Sequence, residues 1–190
     1  MINIESIKNY VGSITDDELM DLAKKIYMIT DFICEDYPKH REWYFSKQLP
    51  ETINSDERNI LFVRNPYNND EIISMACLKR DIEEKKICTL YVSDKCRGLG
   101  IGTAIIEESL RWLGTTKPLV TLADYKLEMF KPIIEKYNWE LTDIVSGLYN
   151  NKSSELCFNG TLSKQYEEPV EKKLYIRIIH ALDYRIQNHK

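Results

Sequence analysis

Cysteine pairs of the C-x-x-C kind are absent from this 190-residue chain, whose five cysteines are odd in number. Both features argue against a disulfide framework and against a zinc ribbon. Its three histidines also lack the spacing of metal ligands, so we expect no metal ion. Free thiols are typical of a reducing compartment, and we therefore predict a cytoplasmic location.

Long apolar runs are also missing. No run approaches the roughly 20 residues that cross a bilayer, and residues 1–10 lack the apolar centre of a secretory signal. The net charge is −4, whereas nucleic-acid binders neutralise phosphates with clustered lysine and arginine. We therefore expect neither a membrane nor a nucleic acid as a partner. With 43% hydrophobic and 29% charged residues, the composition fits a soluble folded protein.

The pattern of apolar residues predicts two helices, three strands, a helix, a strand, a helix, two strands and a last helix. A capping box at Thr15 and Glu18 opens the first helix, which we extend to about Cys34. Residues 39–48 form a second short helix, and residues 49–56 are interpreted as a loop.

Three strands near residues 59–64, 71–79 and 86–92 are joined by short polar links, which predicts an antiparallel meander. The pattern then changes to a helix at 103–113 and a strand at 117–122. A further helix follows Asp124, with a kink or restart expected at its internal proline.

Strands at 141–145 and 155–158 complete an α+β fold with a mixed central sheet flanked by helices. We assign residues 1–160 to one domain. Residues 161–190 form an extension with a helix from Pro169, which we expect to pack on the same domain. Packing against a second copy is the alternative, so monomer and homodimer both stay open.

The strongest chemical signal is a glycine-rich stretch between a strand and a helix, Arg97-Gly98-Leu99-Gly100-Ile101-Gly102. Glycine lets the backbone approach a ligand closely. The first amides of the following helix lack internal partners and lie at the positive end of its dipole. We therefore predict a cradle for a phosphate or pyrophosphate, to which Arg97 adds positive charge. The stretch fits neither a P-loop nor a Rossmann fingerprint.

The stretch does fit the pattern Gln/Arg-x-x-Gly-x-Gly/Ala, and from Leu90 to Gly102 the sequence resembles the GNAT superfamily of N-acetyltransferases. The element order resembles that family from the first helix to about Gly160. The resemblance implies a cleft for acetyl-coenzyme A between two parallel strands that splay apart, here 86–92 and 117–122. It also implies which residues bind the cofactor. They are Leu90, Tyr91, Val92, Arg97, Gly98, Leu99, Gly100, Ile101, Gly102 and Thr103.

The family's mechanism is attack of an amine on the thioester, with a base for the ammonium and an acid for the thiolate. Many members carry the acid as a tyrosine, but the matching position here is Ile134. Tyr137 and Tyr125 are the substitutes, although core packing of Tyr137 is an alternative. The glutamate that some members carry on the cofactor strand is missing here.

His40 and Glu42 lie between the first helices, where the family builds one wall of its acceptor site. Either side chain is a candidate base, and a solvent-exposed helix turn is the alternative. The resemblance thus implies an acetyl-coenzyme A-dependent N-acetyltransferase acting on a primary amine of a small molecule or peptide. The alternative is a catalytically inactive acyl-coenzyme A sensor or interaction module with the same fold.

Overall fold

A computed structural model describes residues 2–162, and every structural statement below concerns that range. The predicted helix from Pro169 lies outside the described residues. The described residues form one mixed sheet, whose seven strands follow in chain order. They are β1 (Glu5–Ser6), β2 (Arg58–Asn65), β3 (Asn68–Arg80), β4 (Lys85–Val92), β5 (Leu119–Ala123), β6 (Leu141–Ser146) and β7 (Ser154–Phe158).

Five α-helices and several tighter or wider turns flank this sheet. The α-helices are α1 (Asp16–Met28), α2 (His40–Trp43), α3 (Leu49–Asn54), α4 (Ile101–Leu113) and α5 (Leu127–Tyr137). A π-helix links α2 to α3, and short 3-10 helices are at Ile7–Tyr10, Asp31–Glu35, Asp94–Cys96 and Asp124–Lys126.

The order of strands in the sheet is β1-β2-β3-β4-β5-β7-β6. Strands β2, β3 and β4 form the predicted antiparallel meander, and the unpredicted β1 adds to it antiparallel to β2. Strands β4 and β5 run parallel, and the last strands are antiparallel again. The α+β architecture expected from the sequence is therefore confirmed.

The first helix is shorter than predicted, because α1 ends at Met28 rather than near Cys34. The buried Thr30 causes this end, since its hydroxyl and its amide both donate to the carbonyl of Tyr27 at 2.8 Å. A threonine that bonds locally to the backbone competes with helical hydrogen bonds. The chain then continues as the 3-10 helix Asp31–Glu35. The capping box at Thr15 and Glu18 is confirmed.

The secondary structure around two prolines, Pro50 and Pro132, also differs from the sequence prediction. The predicted loop at 49–56 is wrong at its start, because Leu49–Asn54 is helical. Pro50 lies in the first turn of that helix, where a missing N–H removes no hydrogen bond. Pro132 lies inside α5, which runs as one helix from Leu127 to Tyr137 without the predicted restart.

Two hydrophobic cores lie on opposite faces of the sheet. Helices α4 and α5 cover one face, where Ile105 and Ile106 pack with Leu122, Leu156 and other apolar side chains. Helix α1 and the segment through α3 cover the other face. An extra residue in β4, Cys88, forms a bulge opposite β3 and changes which side chains face each core.

Candidate active site

The sheet is open along one internal line, between β4 and β5. These parallel strands pair at only two positions, Lys86 with Leu119 and Ile87 with Val120. Beyond them, residues 89–92 of β4 pair with β3 alone, and residues 121–123 of β5 pair with β7 alone. A gap therefore opens towards the carboxyl ends of both strands, and it leaves backbone polar groups available to a ligand.

The glycine-rich stretch lies directly beyond the end of β4. Gly98 and Gly100 have φ angles of 78° and 80°, in the left-handed region that glycine adopts without strain. Gly100 caps α4, and the first recorded hydrogen bond of that helix joins the Ala104 amide to the Gly100 carbonyl at 3.0 Å. Within residues 2–162, the amides of residues 98–103 have no hydrogen-bond partner.

Close packing keeps this helix start next to the gap. A Cβ atom added to Gly102 would lie 3.6 Å from Cγ2 of Val92, so the first turn of α4 contacts the end of β4. The free amides lie at the positive end of a 13-residue helix, an arrangement suited to an anion, and they border the gap.

Arg97 differs in part from its predicted role. Its amide already donates to the carbonyl of Asp94 at 3.3 Å, in the 3-10 turn Asp94–Cys96. The backbone cradle therefore begins at Gly98 rather than at Arg97. The Arg97 guanidinium is half-exposed and lies 2.6 Å from a carboxylate oxygen of Asp94.

A short segment crosses the other face of the sheet at the level of the gap. It covers residues 31–37, and we call it the bridge. On the β4 side, Phe32 of the bridge contacts Tyr91 edge to face, with 5.4 Å between ring centroids. On the β5 side, Asp36 accepts hydrogen bonds from the Tyr125 hydroxyl and, at 2.9 Å, from Lys126 Nζ. The bridge therefore contacts strand or turn residues from both sides of the gap.

The far end of the bridge covers a buried carboxyl group on β7. The Tyr37 hydroxyl donates to Oε1 of Glu155 at 2.8 Å, and the Tyr37 ring packs against Tyr149 at 4.8 Å. The other oxygen, Oε2, is buried without a hydrogen-bond partner in the described range. Burial raises the pKa of Glu155, and the bond from Tyr37 offsets part of that increase.

A sequence model of the acetyltransferase (GNAT) family matches residues 17–122, which is more than half of the chain. The chain belongs to the GNAT family of acetyltransferases. No curated protein sequence matches it. The family match ends within β5, so α5 and the last two strands are placed by the structure alone.

Solved structures of GNAT proteins share the fold at low sequence identity. The ribosomal-protein-S18-alanine N-acetyltransferase from Escherichia coli is 12% identical, with a TM-score of 0.57 over 87% of this chain and 99% of that one. Arabidopsis thaliana NAA60, solved with a bisubstrate analogue, is 14% identical, with a TM-score of 0.57 over 83% and 96%. Nourseothricin acetyltransferase is 10% identical with a TM-score of 0.48, and this chain spans 64% of its length.

The candidate residues on the acceptor side of this GNAT fold lie in different surroundings. His40 is 6% exposed and stacks between the rings of Tyr27 and Trp43, at 5.7 and 5.8 Å. Its Nε2 lies 3.3 Å from the Thr30 hydroxyl, and burial lowers its pKa to about 4. Glu42 is exposed on α2.

The two candidate tyrosines lie at opposite ends of α5. Tyr125 precedes the helix and is 60% exposed, and burial of its hydroxyl and the bond to Asp36 raise its pKa. Tyr137 ends the helix, where its ring stacks on Trp139 at 5.9 Å and its hydroxyl is buried without a hydrogen-bond partner in the described range. Within residues 2–162, no hydrogen bond, ion pair or ring contact joins any two of the four candidates.

Sequence analysis missed the Glu155 site. Its five-residue strand, Ser154–Phe158, is buried at every position. A glutamate in such a strand is uncommon, because charged groups are rarely buried without a partner, and that signal could have identified it.

Two further observations concern the described range as a whole. It contains no group of three or more His, Cys, Asp or Glu side chains arranged to hold a metal ion. None of its helices has the length and apolar character that crossing a bilayer requires.

Proposed function

We propose that this GNAT protein is an acetyl-coenzyme A-dependent N-acetyltransferase that acetylates a primary amine of a small molecule or peptide. The gap between β4 and β5, with free helix-start amides at its mouth, is the observation that carries the proposal. Family membership and the gap support the same ligand independently, since one rests on sequence and the other on strand pairing.

The residues fit the two chemical parts of the cofactor. The amides of residues 98–103 offer N–H donors to a pyrophosphate, and the unpaired edge of β4 at Leu90 and Val92 offers partners to pantetheine amides. Leu99, Ile101 and Thr103 flank these contacts in the loop and the first turn of α4, and Tyr91 faces the bridge on the opposite side.

When bound, acetyl-coenzyme A supplies an acetyl group activated as a thioester. The protein holds it with the sheet edge and the helix start, while the bridge side of the gap receives the amine. Holding both reactants in one cleft converts a bimolecular reaction into an effectively unimolecular one.

A charge change at Thr103 tests the cradle. This exposed residue lies in the first turn of α4, where an acidic side chain favours the helix dipole but repels a pyrophosphate. We expect wild-type protein at about 100 times the dissociation constant of acetyl-coenzyme A to gain about 2.7 kcal/mol of unfolding free energy. Thr103→Glu should weaken cofactor binding about tenfold or more without loss of ligand-free stability, and Thr103→Gln is the neutral control.

Calorimetric titration with acetyl-coenzyme A measures these affinities. Absence of binding to the wild-type protein would contradict the proposal outright. Equal affinities of the Glu and Gln variants would contradict the part of the proposal in which residues 98–103 bind the pyrophosphate.

The dispersed positions of His40, Glu42, Tyr125 and Tyr137 favour a second candidate, an acyl-coenzyme A-binding module without transferase activity. Release of free thiol in the presence of primary amines distinguishes the two candidates. Cofactor binding without thiol release across small amines and peptides supports the binding module.

A further inference from the structure

The burial of Glu155 is unusual for a carboxyl group. It is 2% exposed, its Oε1 accepts a bond from the Tyr37 hydroxyl, and its Oε2 has no partner within residues 2–162. Leaving a carboxylate oxygen buried and unpaired costs free energy. An apolar side chain would fill this position without that cost, so packing alone does not explain the carboxyl group.

The sheet register places Glu155 beside the open gap. Its Cα partner is Ala123 on β5, three residues beyond Val120, the last residue of β5 that pairs with β4. Paired residues point to the same face of a sheet. Only the methyl group of Ala123 therefore separates the Glu155 position from the free edge of β5.

The face that Glu155 occupies is the bridge face, opposite α4 and α5. Its strand neighbours Leu156 and Phe158 alternate with it and pack into the core beneath α4. Tyr37 of the bridge contacts Glu155 directly. The carboxyl group is therefore on the side from which an acceptor reaches the gap, and the glycine cradle belongs to a helix on the opposite side.

Charged and titratable groups reach Glu155 from every element around it. Lys126 and Lys86 favour its ionised form, while Asp124 disfavours it, and within residues 2–162 Tyr37 donates its only hydrogen bond. Tyr125 and Cys157 also interact with its charge. Burial outweighs the two lysines and the Tyr37 bond, so the pKa of Glu155 lies above its ordinary value, nearer to neutrality.

We propose that Glu155 is the general base of this enzyme, supplied by β7 instead of the cofactor strand, and that Tyr37 positions it. This proposal rests on the proposed function. It implies that the acceptor is a primary amine that arrives as an ammonium ion, which the free oxygen Oε2 binds before it removes a proton.

The ammonium passes one proton to Oε2, and the resulting amine attacks the thioester carbonyl carbon. A C–N bond forms while the C–S bond breaks, and the sulfur leaves with the bonding electron pair. The nitrogen loses its second proton to the sulfur, giving free thiol, and Glu155 releases its proton to water.

Two variants separate a base from a structural carboxyl group. Glu155→Gln keeps the shape and an acceptor for Tyr37 but cannot take a proton. Tyr37→Phe removes a bond that stabilises the carboxylate, so it should raise the pKa of Glu155 further. Glu57→Gln, at an exposed position on the loop before β2, is the matched control.

The first readout needs no acetyl-coenzyme A. Carbon-13 spectra of glutamate-labelled protein, with Glu155→Gln used for assignment, follow the Glu155 carboxyl group through a pH titration. We expect n-butylammonium chloride to lower its pKa and tetramethylammonium chloride, which has no N–H donor, to leave it in place. Equal pKa values in the two salts would overturn the proposal.

The second readout is thiol release from acetyl-coenzyme A with n-butylamine over pH 6–9. We expect Glu155→Gln to lower kcat about 100-fold or more, which is the lower range for loss of a general base. Tyr37→Phe should move the acidic limb of the rate profile to higher pH, and Glu57→Gln should match wild type. A Glu155→Gln enzyme within twofold of wild type, with the same acidic limb, would overturn the proposal.

Thermal unfolding checks that the variants fold. The pKa of Glu155 is higher in the folded state than in the unfolded state. The free energy of unfolding of the wild type therefore falls as the pH rises from the unfolded to the folded pKa. Glu155→Gln should therefore be more stable than wild type at pH 8. If only the base proposal is wrong, the wild-type protein still binds acetyl-coenzyme A. If the proposed function is wrong, the wild-type protein does not bind acetyl-coenzyme A.

Discussion

The two faces of the gap are built in different ways. On the α4 face, the proposed anion cradle is a continuous run of residues from Gly98 to Thr103, whose free backbone amides would supply its chemistry. On the bridge face, side chains from three separate stretches, Asp36 with Tyr37, Tyr125 with Lys126, and Glu155, meet through tertiary contacts. A backbone site tolerates changes of side chain, while the bridge-face site depends on individual residues.

On the bridge face, we expect the largest change in folding stability from protonation of His40. Burial lowers its pKa to about 4, against about 6.5 in an unfolded chain. The unfolded state therefore binds the proton more readily, and stability is lost as the pH falls from about 6.5 to about 4. The difference corresponds to about 3 kcal/mol.

Urea unfolding of wild type and His40→Gln across that pH range measures this loss. The variant should be less stable at pH 7, where it loses ring stacking, but its stability should depend less on pH below 6.5. Parallel curves for the two proteins would mean that His40 has the same pKa in the folded and unfolded states.

A pair of glycine variants tests the backbone character of the α4 face. Gly100→Ala forces a side chain into the left-handed region and should cost about 1–2 kcal/mol of unfolding free energy. Gly102→Ala places a methyl group in ordinary contact with Val92 inside a helix and should be neutral or stabilising by up to about 1 kcal/mol.

Denaturant unfolding of both variants without ligand gives these values. Equal losses at the two positions would show that space, rather than backbone conformation, selects glycine in the cradle.

Tyr137 gives a smaller effect on the α4 face. Among the residues that the structure describes, its buried hydroxyl has no hydrogen-bond partner, so Tyr137→Phe removes an unpaired polar group and keeps the ring stacked on Trp139. We expect stability to rise by about 1 kcal/mol. A decrease in unfolding temperature would indicate that the hydroxyl has a partner, with Glu107 and Lys136 as its nearest charged neighbours.

The smallest expected effect concerns the exposed pair of Arg97 and Asp94. Ion pairs with this exposure contribute about 0–1 kcal/mol, so Asp94→Asn should hardly change stability. It frees the guanidinium beside the cradle, and we expect acetyl-coenzyme A to bind somewhat more tightly. Weaker binding of the cofactor would show that Asp94 is needed to orient the loop.

The contrast between the faces also explains what the sequence could predict. The capping box at Thr15 and the glycine-rich stretch at 98–103 depend on neighbours within a few residues, so their patterns are visible in the chain. The end of α1 depends on the buried Thr30 and was therefore placed six residues too late.

The bridge-face site was missed for a related reason. Tyr37 and Glu155 are 118 positions apart, and only folding shows that they share a hydrogen bond. The gap itself was expected only from the family resemblance, because the register of parallel strands is set by packing and not by local residue pattern.

The two-residue pairing between β4 and β5 has a consequence for the aggregation of the protein during its preparation. Unpaired strand edges are templates for pairing with other chains, and here two such edges face each other inside one sheet. A ligand that occupies them should also protect freshly made chains against aggregation. We expect yield and shelf life of the purified protein to depend on whether the cofactor is present from the first step of its preparation.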